Sequence, residues 1–149
     1  MESSKLPPLL SDSARAELAP LLELLGKGRT VDPSLLEELE ALASDLNPDP
    51  VAEVVALFLS DSPARMDGLV QASILADVSG MHAHAHALKG SAANLGAERL
   101  LALLTFLDRD LKQGKSATAP LLIPMVQQEY QTVARWFESL LLARKAAAS

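Results

Sequence analysis

Leucine and alanine recur every three or four residues along most of the chain, which is the spacing of an amphipathic α-helix. Stretches with this period are separated by short segments that contain proline, glycine, aspartate or asparagine. Those residue types are typical of the first and last turns of helices. The pattern therefore predicts an all-α protein with six helices.

Two short helices are predicted in the N-terminal third of the chain. Residues 1–10 are expected to form a flexible leader, because the Pro7-Pro8 pair discourages a helix there. A capping side chain, or aspartate followed by proline, then marks each helix start. The two predicted helices run from a Ser11 cap to about Leu25, and from Asp32-Pro33 to about Leu46.

Four longer helices are predicted after the Asn47-Pro48 pair. They begin near Pro50, Asp77, Ala97 and Pro120, and the last ends near Lys145. Short connections make consecutive helices antiparallel neighbours. The expected fold is an antiparallel up-down four-helix bundle with a core over about residues 50–145 and additional short N-terminal helices packed on one end or side.

One face of the fourth predicted helix carries His86, Lys89 and Gly90, which are spaced at i, i+3 and i+4. An interior glycine costs a helix roughly 0.5–1 kcal/mol relative to alanine. A glycine that weakens a helix without an evident packing gain suggests a functional site. The other residues of this face are small, so its surface should be flat. The residues expected to contact a partner are Ala83, Gly90, Ala93 and Ala97.

Composition narrows the possible function classes. The 149 residues are 49% hydrophobic but only 3% aromatic, which argues against general disorder and against a β-sandwich. The net charge of −6 and the absence of a basic stripe argue against nucleic-acid binding. With no cysteine and no apolar run of membrane-spanning length, thiolate metal sites and membrane insertion are not expected. A monomeric cytoplasmic protein is expected.

The run from His86 to Ala97 resembles the signature of histidine-containing phosphotransfer (HPt) domains. That signature is H-x-L-K-G-S, followed by small residues and a Leu-Gly-Ala helix end. The matching residues are His86, Leu88, Lys89, Gly90, Ser91, Leu95, Gly96 and Ala97. The expected division is an N-terminal leader and short helix over residues 1–30 and an HPt-like bundle over residues 31–149.

The resemblance implies a phosphorelay intermediate. His86 would accept a phosphoryl group from the aspartyl phosphate of a hybrid histidine kinase's receiver domain and pass it to the receiver of a response regulator. Lys89 would stabilise the phosphoryl group, and Gly90 would leave room for the receiver. The chain has no nucleotide-binding loop, so it would be a carrier without kinase activity. No cofactor is expected in this chain, because the Mg²⁺ would belong to the receiver.

Asp108 is a candidate to orient the His86 imidazole. Both residues lie 11 positions from Ala97, so the antiparallel fourth and fifth helices should place them opposite one another. The carboxylate could accept a bond from one ring nitrogen and leave the other free to attack. The same carboxylate would also repel a phosphoryl group. The alternative is a surface aspartate paired with Lys112 at i+4.

Two other function classes compete with the phosphorelay hypothesis. One is a helical adaptor that binds receiver domains without being phosphorylated. The other is a metal-binding bundle, suggested by the run of three alternating histidines at positions 82, 84 and 86. On a helix only His82 and His86 lie on the same face. A zinc site needs three or four ligands, and with Asp108 as a possible third, no fourth is evident. No metal site is therefore predicted, and His84 is expected to be a partly buried structural residue.

Overall fold

Six α-helices make up the fold of residues 11–148, the part of the chain that the computed structural model describes. They are α1 (Asp12–Lys27), α2 (Ser34–Glu40), α3 (Pro50–Ile74), α4 (Val78–Leu95), α5 (Glu98–Lys112) and α6 (Ala119–Ala148). No residue in this part is in a strand, so the all-α prediction is confirmed. The leader predicted over residues 1–10 lies outside the described residues. No described helix combines the length and the apolar character that a membrane span requires.

The helix boundaries follow from capping chemistry. The side chains of Ser11, Asp49 and Asp77 each accept a hydrogen bond from a backbone amide three residues further on. These bonds satisfy amides that have no partner within the helix. Gly96 ends α4 in the left-handed region at a φ of 72°. A side chain there would also meet the backbone oxygen of Asp32, since a Cβ would lie 2.6 Å from it, so glycine allows the tight reversal into α5.

The four long helices form the predicted up-and-down bundle. Helix α4 packs against α3 and α5, and α6 closes the ring by packing against the same two helices. The α4 residues that face this core are all buried: Met81, Ala85, Leu88, Ala92 and Leu95. Of the two short helices, α1 packs on α5, and α2 packs on α3 and α4. The bundle therefore holds one side of α4 in the core and leaves its opposite side exposed.

Helix α2 is shorter than the sequence predicts. It ends at Glu40 rather than near Leu46, and Leu36 is its buried residue. Both Leu42 and Leu46 are exposed, so no apolar surface holds the predicted continuation of the helix. Because helices in proteins draw most of their stability from such packing, the chain leaves the helix and turns through a bond from the Ser44 amide to the Asn47 carbonyl.

One arginine joins three helices at the start of α5. The Arg99 side chain donates to the carbonyl of Leu25 at the end of α1. Its Nε also donates to the Oε1 atom of Glu129 on α6, at 3.0 Å. Glu129 is buried, and a buried carboxylate is costly unless it is paired. Arg99 therefore stabilises both the bundle and the attachment of α1.

We expect Arg99→Met to lower the free energy of unfolding by about 2–3 kcal/mol, because Glu129 would stay buried without its partner. The double variant Arg99→Met with Glu129→Met should recover most of the loss. Urea unfolding measures both. As a matched control, Lys27→Met breaks the exposed Lys27–Glu23 pair and should cost less than about 0.5 kcal/mol. A loss in Arg99→Met no larger than in this control would contradict the assigned role.

Candidate functional site

The exposed side of α4 carries His86 among small residues. The His86 side chain is 64% exposed, and Ala83, Gly90 and Ala93 are exposed around it. Nothing lies within 4 Å of a Cβ built on Gly90, so packing within the protein does not require a glycine there. The structure therefore places a histidine on an open surface where the neighbouring side chains are small.

Ala97 does not belong to this surface, and its prediction as a partner contact is wrong. It is fully buried and joins the hydrophobic core at the start of α5. The prediction assumed that the helical spacing of α4 continues to Ala97, although α4 ends at Leu95. Because Gly96 reverses the chain, the residue after it turns inward. The three remaining small residues predicted to contact a partner, Ala83, Gly90 and Ala93, all lie on the exposed side.

Asp108 lies directly beside His86. The His86 Nδ1 atom is 3.2 Å from the Asp108 Oδ1 atom, and Lys89 Nζ donates to Oδ2 at 2.8 Å. The antiparallel packing of α4 and α5 brings the three side chains together, as the equal distances from the turn predict. Asp108 is 5% exposed, so the alternative of a surface aspartate is wrong. Its role in orienting the imidazole stays a prediction.

The protonation of the pair follows from the surroundings of Asp108. Burial raises the pKa of the Asp108 carboxyl, but hydrogen bonds from Lys89 and His86 lower it by more, so its pKa lies below the usual value. The carboxyl is therefore ionised at neutral pH and can only accept hydrogen bonds. The proton between the two side chains must then be on His86 Nδ1. In a neutral imidazole with this tautomer, Nε2 has the free lone pair.

Lys89 is less exposed than the sequence suggests. The Lys89 side chain is 30% exposed and is paired with Asp108. Its positive charge balances the buried carboxylate, which would otherwise repel an approaching phosphoryl group. The site thus combines an exposed imidazole, a carboxylate beneath it and one compact cation.

The two other histidines lie in different surroundings. His84 is partly buried, as expected, and its ring fills the space beside Gly68 of α3, where a Cβ would come within 2.4 Å of ring atoms. His82 lies one turn before His86, and its Nε2 atom is 3.1 Å from Asp108 Oδ1. That nitrogen is buried and makes no hydrogen bond with the described residues. His82, His86 and Asp108 thus lie together, as the i,i+4 spacing of the two histidines and the opposed positions of His86 and Asp108 indicate.

Comparison with known proteins gives consistent matches. The Hpt domain family model matches residues 53–136, more than half of the chain. Histidine-containing phosphotransfer protein 1 of Arabidopsis thaliana is 30% identical over 105 residues, covering 69% of this chain and 68% of that protein. Histidine-containing phosphotransfer protein 4 of the same plant is 28% identical over 103 residues, covering 68% and 81% respectively.

Two solved structures share the fold. Histidine-containing phosphotransfer protein B (HptB) from Pseudomonas aeruginosa PAO1 superposes with a TM-score of 0.69 at 24% identity, covering 76% of this chain and 96% of that chain. MtHPt2 from Medicago truncatula gives a TM-score of 0.65 at 23% identity, covering 93% and 97%. The structural matches establish the helical bundle, and the family match extends through both α4 and α5. The chain therefore belongs to the Hpt family of histidine-containing phosphotransfer proteins.

Proposed function

We propose that this protein carries a phosphoryl group on Nε2 of His86 and exchanges it with the aspartate of receiver domains. Membership in the Hpt family supports a phosphorelay intermediate in general terms. The observation that carries the atomic proposal is the bond between His86 Nδ1 and the buried, ionised Asp108. That bond supports Nε2 as the nucleophile, because it leaves the lone pair of this nitrogen free.

The transfer step is a displacement at phosphorus. The Nε2 lone pair attacks the phosphorus of a receiver's aspartyl phosphate, a nitrogen–phosphorus bond forms, and the bond to the aspartate oxygen breaks. The aspartate leaves as a carboxylate. The proton on His86 Nδ1 stays in place, and Asp108 stabilises the positive charge that the ring acquires. The reverse step delivers the group to the aspartate of a second receiver. In this proposal the Mg²⁺ belongs to the receiver.

Lys89 supplies charge neutralisation. Phosphoryl transfer depends mainly on positioning and on stabilising charge spread over three oxygens. The Lys89 ammonium lies 2.8 Å from Asp108 and less than one helical turn from His86. It can therefore bond a phosphoryl oxygen when the group arrives, while Asp108 retains the bond to Nδ1.

The surface around His86 suits a close-fitting partner. The exposed residues Ala83, Gly90 and Ala93 carry at most a methyl group, so a receiver's active-site rim can approach the imidazole closely. As parts of the same proposal, the two receivers belong to a hybrid histidine kinase and a response regulator, and the protein acts as a cytoplasmic monomer.

We expect His86→Gln to abolish phosphorylation, because it removes the nucleophile. The protein is incubated with purified, phosphorylated receiver domains, and an acid-labile, base-stable label is measured. The matched control is His84→Gln, which alters a histidine on the other side of the same helix. A label that survives in His86→Gln, or that disappears in a folded His84→Gln protein, would contradict the proposal. Receiver binding without any label on the wild-type chain would instead favour the adaptor hypothesis.

Substitution of Gly90 separates docking from folding. Because the position is open, Gly90→Ala should stabilise the protein by up to about 1 kcal/mol, and Gly90→Gln should also fold normally. Phosphotransfer to Gly90→Gln should nevertheless fall by up to about 100-fold, since a small displacement of the reacting groups has effects of that size.

Thermal melts and transfer kinetics with one receiver measure the two effects. The matched control is Gly26→Gln, at an exposed glycine of α1 that also has nothing within 4 Å of a Cβ. It should transfer at the wild-type rate. Wild-type transfer by Gly90→Gln would show that no receiver approaches this face of α4.

A further inference from the structure

Three potential metal ligands meet at the surface of α4 and α5. His82 Nε2 and His86 Nδ1 lie 3.1 and 3.2 Å from the same oxygen, Oδ1 of Asp108. All three ligand atoms lie within 4.8 Å of one another. We propose that His82, His86 and Asp108 bind a divalent transition metal of the zinc type, and that the bound metal prevents phosphorylation of His86. The second half of this inference rests on the proposed function.

The donor set suits such a metal. Imidazole nitrogen and carboxylate oxygen are both ligands of Zn²⁺, at about 2.0–2.2 Å. Two histidines at i and i+4 on one helix face form half of a well-known zinc-binding arrangement. Around a tetrahedral ion with bonds of that length, donor atoms are about 3.3–3.5 Å apart. The two nitrogen–oxygen distances, 3.1 and 3.2 Å, are already close to this value. Water would take the remaining position.

One donor atom of the proposed site has no competing hydrogen bond. His82 Nε2 is buried and has no hydrogen-bond partner among the described residues, whereas buried polar atoms are nearly always bonded. Lys89 bonds Oδ2 of Asp108, whereas Oδ1 contacts the two imidazoles, so a metal between them would replace the hydrogen bond from His86 Nδ1. The positive charge of Lys89 opposes a second cation, which favours reversible rather than permanent binding.

Metal binding would change the tautomer of His86. Coordination uses the lone pair of Nδ1, so that nitrogen cannot carry the proton at the same time. In a neutral imidazole the proton then resides on Nε2, which loses the lone pair needed to attack phosphorus. The exchange moves one proton from Nδ1 to Nε2 and releases none. A metal bound at Nδ1 therefore removes the lone pair with which Nε2 of this histidine would attack phosphorus.

Calorimetric titration of the full chain with ZnCl₂ tests the site itself. We expect one Zn²⁺ per chain, with affinity reduced at least about tenfold in His82→Gln and in His86→Gln, since loss of a supporting residue alone costs a metal site 10- to 100-fold. The matched control, His84→Gln, removes a histidine from the same run and should bind like the wild type. Circular dichroism establishes that each variant is folded. Wild-type affinity in folded His82→Gln, or in folded His86→Gln, would overturn the site.

A second experiment tests the effect on phosphorylation. For each protein, the initial labelling rate from a phosphorylated receiver is measured with and without saturating Zn²⁺, and the ratio of the two rates is compared. Because every reaction contains the same receiver, effects of Zn²⁺ on the receiver cancel between proteins. We expect the ratio of the rate with Zn²⁺ to the rate without Zn²⁺ to be at least about tenfold lower for the wild type than for His82→Gln. The ratio for His84→Gln should equal that of the wild type.

The two proposals fail in different ways. Equal ratios in wild type and His82→Gln would overturn metal control and leave the phosphorelay proposal standing. No labelling of His86 in metal-free buffer would overturn the phosphorelay proposal, and with it the proposal that Zn²⁺ inhibits phosphorylation. Zn²⁺ binding by His82, His86 and Asp108 would then still be decided by calorimetry alone.

Discussion

The chemistry proposed for this protein depends on the buried carboxylate of Asp108. A charge removed from water is costly unless it is paired and hydrogen-bonded. Here Lys89 and His86, both on α4, supply those bonds to a residue of α5. Since the paired carboxyl is ionised, it can only accept a hydrogen bond from the imidazole. The proton is then on Nδ1, and Nε2 is left with its lone pair. In the proposed mechanism, the burial of Asp108 thus determines which nitrogen of His86 reacts.

The bundle keeps this arrangement in register. The left-handed turn at Gly96 fixes how α4 and α5 run past one another, and the backbone of Asp32 packs against that turn. Core residues on the far side of α4 hold the helix in one rotation about its axis. The imidazole can be exposed and yet oriented, because the groups that orient it lie beneath it on rigid helices. In the proposed function, a receiver would therefore meet a preorganised nucleophile on a surface of small side chains.

Much of this was predictable from the sequence, since local rules govern it. Asp49, Asp77 and Gly96 mark helix ends through backbone chemistry that acts within a few residues. The position of Asp108 followed from counting outward from one turn. The errors arose where tertiary packing decides. Helix α2 stops early because Leu42 and Leu46 find no surface to cover, and Ala97 turns inward because the chain reverses before it. The pairing of Lys89 with Asp108 also depends on the distance between α4 and α5, which the spacing of apolar residues does not give.

The central claim concerns one proton, and the tautomer of His86 tests it most directly. Long-range ¹H–¹⁵N correlation spectra of the full chain in metal-free buffer at about pH 8, where imidazoles are generally neutral, distinguish a proton on Nδ1 from one on Nε2. We expect the Nδ1–H tautomer to dominate for His86 in the wild type and to lose that preference in Asp108→Asn. A wild-type His86 that is mainly protonated on Nε2, or a tautomer preference that is the same in both proteins, would contradict the account.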